Sequence, residues 1–109
     1  MSKEVIEHPC SSTHGFPFVE LSKIKPGTIM RSLGGVEEVV ASEPIEVRGG
    51  EGSYFNAVHQ EGDRILVSTM KGRSDKGSDT WVYAGHEVTE IPRESPDYNM
   101  ALRILKQAA

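Results

Sequence analysis

Cysteine is nearly absent: Cys10 is the sole example in 109 residues, so no internal disulfide can form and a free thiol remains. A reducing compartment tolerates such a thiol best, and the expectation is a cytoplasmic protein. Aromatic residues are also scarce, at 6% with one tryptophan, which limits how many rings can serve as both core and binding surface. No apolar run approaches the ~20 residues that a membrane-spanning helix needs. The segment Met1 to Glu7 also lacks the apolar centre of a signal peptide. Positive charge is not in excess: 12 basic residues face 16 acidic ones, for a formal charge of -4, which removes the global field of a dedicated duplex-DNA binder. Enzyme signatures are missing as well. There is no G-x-S-x-G elbow, no H-E-x-x-H, no dinucleotide fingerprint and no EF-hand loop. The expectation is therefore a non-enzyme with no cofactor.

What the chain does hold is turns and short β-rich segments. With 11 Gly and 6 Pro, long helices are disfavoured, and the length suits one domain, 1–109. Residues 1–24 read as an N-terminal arm, rich in turn formers from Pro9 to Gly15 and anchored by Phe16, Phe18 and Leu21. From 25 to 92 the pattern is that of a sheet. Lys25-Pro26-Gly27 turns the chain into a strand from Thr28 to Ser32, and Gly34-Gly35 joins it as a hairpin to Val36 to Val40. Pro44 then demands an edge, bulge or bend before Ile45 to Val47. Strands follow around Tyr54 to Val58 and Arg64 to Met70, where β-branched residues abound. Thr80 to Ala84 and Val88 to Ile91 form two more, separated at Gly85-His86. Residues 95–107 predict one helix, with Ser95 as N-cap, Pro96 at the first position and Tyr98, Ala101, Leu102 and Leu105 on one stripe.

Short strands at roughly ten-residue spacing, followed by one helix, predict a mostly β fold: a small antiparallel five- to six-stranded barrel or strongly curled sheet, its open end covered by the C-terminal helix. An α+β open sheet is the alternative. The arrangement resembles small Tudor-like or KOW-like barrels in architecture alone, and no motif carries a function over from them.

Four groups of residues could carry chemistry. The stretch from Lys71 to Asp79 has no large apolar side chain and reads as an exposed loop. Lys71, Arg73, Ser74 and Lys76, with Gly72 and Gly77, offer it cations, hydroxyls and backbone N–H groups for a phosphate. It is not a P-loop, because the lysine-serine ending is missing and a strand follows. Tyr54, Trp81 and Tyr83 could supply a face on which a base stacks. His8, Cys10 and His14 are zinc-type ligands within seven positions, with His59 or His86 as distant fourth ligands. Their spacing departs from paired zinc patterns, so no metal is called for. Glu37, Glu38, Glu43, Glu46 and Glu51 concentrate negative charge in one segment, which reads as a solvated acidic face.

Together these features point to a binding module that engages a partner protein or sequesters a phosphate-bearing small ligand such as a nucleotide. Such a chain also fits a phage- or mobile-element-type inhibitor of a host system. Single-stranded nucleic-acid binding is the alternative, with the net charge against it. Homo-oligomerisation stays open, because an edge near Pro44 could pair across a two-fold axis.

Overall fold

The computed structural model describes residues 5–7, 18–31, 36–47, 52–74 and 79–108. They form a mostly β architecture, a nearly closed barrel-shaped sheet with one C-terminal helix. The strands are β1 (Val5–Glu7), β2 (Phe18–Glu20), β3 (Ile29–Arg31), β4 (Glu37–Val40), β5 (Ile45–Glu46), β6 (Ser53–Glu61), β7 (Arg64–Ser74) and β8 (Thr80–Glu90), and the helix is α1 (Pro96–Ala108). In space the order is β1-β3-β4-β6-β7-β8-β2, with β5 pairing β6 beside β4. Among the described strands, β1 and β3 alone run parallel.

Among the described residues there are eight strands where five or six were expected: β3 and β5 fall within anticipated strands, whereas β1 and β2, three residues each, are too short to leave a periodic trace in sequence. These two belong to the stretch read as an arm. There, local turn propensity is overridden by ladder pairing of Val5 to Glu7 with β3 and of Phe18 to Glu20 with β8. Pro44 acts as anticipated. The chain leaves the edge of β6 after Val40 and returns to it at Ile45, and the Asn56 N–H donates to Ser42 Oγ at 3.2 Å across the gap. The Gly34-Gly35 hairpin lies outside the described residues, although β3 and β4 pair antiparallel as it requires.

Two corrections concern β7 and β8. Lys71 to Ser74 continue β7 rather than opening a loop, since each finds a register partner on β8. The expected separation at Gly85-His86 is instead a bulge in one continuous β8. Lys71 pairs with Gly85 and Gly72 with Tyr83, which leaves Ala84 as the extra residue; Gly85 takes φ +144° there.

Alternation sorts the side chains onto two faces. Ile6, Val19, Met30, Val40, Phe55, Ala57, Met70 and Trp81 converge with Ile24 in the barrel interior. Val39, Val58 and Ile65 point outward, where Ala101, Tyr98, Leu102, Ile104 and Leu105 of α1 cover them. The helix therefore lies against the outer face of the sheet and not over an open end. Asp97 N–H donates to Ser95 Oγ at 3.2 Å, the N-cap bond that the sequence suggests, and Lys106 stands in the last turn.

Candidate functional site

Tyr54 and Lys71 are direct cross-strand partners on the outer face. They line a groove of about 360 Å³ together with Val47, Gly52, Thr69 and Ala84. That volume is within the range of small-ligand pockets. Arg73 follows Lys71 by two residues and so shares its face, and it is exposed with no ion pair among the described residues. Lys71 Nζ is held 2.9 Å from Glu87 Oε1, so its charge is partly offset. Of the two aliphatic hydroxyls bordering the groove, Ser53 turns Oγ to accept from Trp81 Nε1 at 2.9 Å. Thr69 Oγ1 donates to Asn56 Oδ1 at 3.1 Å.

The other residues expected at the site are distributed differently. Trp81, expected as a stacking face, is 0% exposed: its ring meets Phe55 edge-on at 5.0 Å and its N–H is spent on Ser53. Burial of so large an apolar ring outweighs its use as a shelf. Tyr83 is half-buried against the interior cluster, and its hydroxyl lies 2.5 Å from His86 Nδ1. Ser74 is exposed but pairs with Trp81 in register, on the face opposite Lys71 and Arg73. The expected set is thus split, with Tyr54, Lys71 and Arg73 outside and Ser74, Trp81 and Tyr83 on the inner face. Lys76, His8, Cys10 and His14 lie outside the described residues.

Gly72 also changes meaning. A Cβ there would collide with the Val82 carbonyl and come within 2.5 Å of the Trp81 ring, so this glycine makes room for the tryptophan rather than offering an N–H to phosphate.

Comparison with protein-family models, known proteins and solved structures yields no match for this chain. The site is therefore read from its own geometry.

Sequence reasoning missed two features. One is a cleft of about 440 Å³ between α1 and the sheet, walled by Ala41, Val58, Val67, Ile91, Ala101 and Ile104. Nothing in a periodic pattern marks where a helix stands off its sheet. The other is Glu38, expected on a solvated acidic face but 8% exposed, because the alternation of β4 puts it on the same inner face as Val40. That parity was the available signal. Ion pairs at the rim are of the ordinary exposed kind: Arg31 with Glu37 at 2.7 Å, Arg93 with Asp63 at 3.1 Å, and Arg64 with Glu90 at 2.8 Å. The Glu90 carboxylate, bonded to its guanidinium, raises the Arg64 pKa above its ordinary value.

Proposed function

We propose that the chain is a non-catalytic binding module whose outer groove takes a small phosphate-bearing ligand of the nucleotide class. The observation that carries this reading is the register pairing of Tyr54 with Lys71 in one groove, with the exposed Arg73 two residues along the same face. An aromatic ring supports base stacking, and the guanidinium matches phosphate with two parallel N–H donors. The Ser53 and Thr69 hydroxyls are engaged by groups that cannot act as a general base, which supports binding without covalent chemistry. In this reading the chain works in the cytoplasm, where such ligands abound and Cys10 stays reduced. Sequestration of the ligand would suit an inhibitor.

Equilibrium titration with nucleoside mono-, di- and triphosphates tests the assignment. Arg73→Glu combined with Lys71→Glu should abolish binding. Tyr54→Ala should weaken it by about 1–3 kcal/mol, the value of one stacked base. Absence of binding, or an affinity indifferent to the charge reversals, overturns the reading and leaves a partner protein as the object of search. Affinity for short oligonucleotides that falls steeply with salt would favour single-stranded nucleic acid instead.

A further inference from the structure

Thr69 borders the outer groove with its one hydroxyl hydrogen already committed. It stands opposite Asn56 in the register of β6 and β7, and its Oγ1 donates to Asn56 Oδ1 at 3.1 Å. Asn56 itself lines the cleft on the helix side and not the groove. A hydroxyl has one hydrogen and two lone pairs, so what Thr69 still offers a ligand is an acceptor. On its other flank Thr69 is the register partner of Glu87, whose side chain therefore shares the outer face. That carboxylate accepts from Lys71 Nζ at 2.9 Å and, being ionised, can only accept from any further group. The Thr69 end of the groove thus presents two acceptors side by side.

The groove also has a direction. Along β7 the outward side chains run Thr69, Lys71, Arg73, an acceptor followed by two cations. Four residues at about 3.3 Å each put about 13 Å between the first and the last, room for a base at one end and phosphates at the other. Tyr54 lies across from Lys71 and diagonally from Thr69. Diagonal positions in a sheet are about 7–8 Å apart, so a base lying on the phenol ring reaches the threonine with its edge. Ile45, the register partner of Tyr54, and Val47 at the groove wall are both 45% exposed. Such open aliphatic groups beside a ring suit the face of a flat heterocycle.

We propose that Thr69, with Glu87 beside it, makes the groove select an adenine nucleotide over its oxo-purine counterparts. The inference rests on the nucleotide reading of the groove and adds the identity of the base. With the phosphates drawn to Lys71 and Arg73, the exocyclic amine of adenine donates to Thr69 Oγ1. Hypoxanthine carries a carbonyl oxygen at the same ring position, which sets lone pairs against lone pairs. A site built to pair with a donor rejects the analogue that lacks it.

Titration of the full chain with ATP, ITP and purine ribonucleoside triphosphate, which differ only in the substituent at that ring position, tests the assignment. ATP should bind about tenfold tighter than ITP, with the unsubstituted purine between them. Thr69→Val keeps the shape and removes the acceptor, and should reduce the ATP-to-ITP ratio to about twofold with little change for ITP. Thr69→Ser keeps the hydroxyl and should keep the ratio. Circular dichroism verifies the fold of each variant, and the order of the three affinities in the parent decides the matter if Thr69→Val fails to fold. Equal affinity for ATP and ITP in the parent, both abolished by Lys71→Glu with Arg73→Glu, overturns the choice of base and leaves the nucleotide reading standing. A ratio unchanged in Thr69→Val overturns the role of Thr69. Absence of binding by all three ligands overturns the proposal together with the reading on which it rests.

Discussion

The two ends of the barrel interior use the same strands in opposite ways. Around Trp81 the packing is closed: the indole sits on Phe55 and over Gly72, and its N–H has a hydroxyl acceptor in Ser53. Six residues further along β6, the same inner face carries His59 between Glu38 and Ser68, with three polar atoms unmatched. One end maximises burial and satisfies its polar groups, while the other buries polar groups without satisfying them. Stability should therefore reside at the Trp81 end, and the cost of unsatisfied burial at the Glu38 end.

Mutations can break or sharpen this contrast. The largest effect is expected from Trp81→Ala, which empties the fully buried ring position and orphans no charge. A loss of about 3–5 kcal/mol should appear in denaturant unfolding. A loss below 1 kcal/mol would mean that the Trp81 end is not the anchor. Gly72→Ala comes next, because its methyl group meets the Val82 carbonyl and the Trp81 ring; a cost of about 1–3 kcal/mol is expected from overpacking, readable in the same assay. Ser68→Ala runs the other way. Removing a hydroxyl that has no partner should range from neutral to about 1 kcal/mol stabilising, and a clear destabilisation would show that the hydroxyl is satisfied after all. The smallest change is expected from Arg64→Ala. Its pair with Glu90 is exposed, so the shift in Tm should lie near the limit of detection and vanish in high salt.

How much of this was legible in sequence depended on whether pattern or pairing decided the outcome. The capped helix and the strands around Phe55 and Val67 follow from spacing, since their apolar residues recur with the period of the element they form. Lys71 to Ser74 carry no such pattern. Their strand is imposed by neighbours on both sides, with Ser53 opposite Gly72 on β6 and Trp81 opposite Ser74 on β8. For the same reason the candidate site was half legible. Lys71 and Arg73 were visible as cations and Tyr54 as an aromatic, but which of three rings shared their face depended on the bulge at Ala84 and on the parity of each strand. Glu38 and Ser68 were overlooked because polar residues in strands usually face solvent.

The closure of the sheet by β2 has a kinetic consequence. β6, β7 and β8 follow one another through short connections and can pair early, whereas β2 must find β8 across most of the chain, a contact with a large loop-closure cost. Val19 is the register partner of Trp81, the sole tryptophan, so that late docking completes the burial of the one strongly fluorescent side chain. In a stopped-flow experiment, indole emission should therefore time the last step of barrel assembly, lagging the far-ultraviolet signal of the central strands.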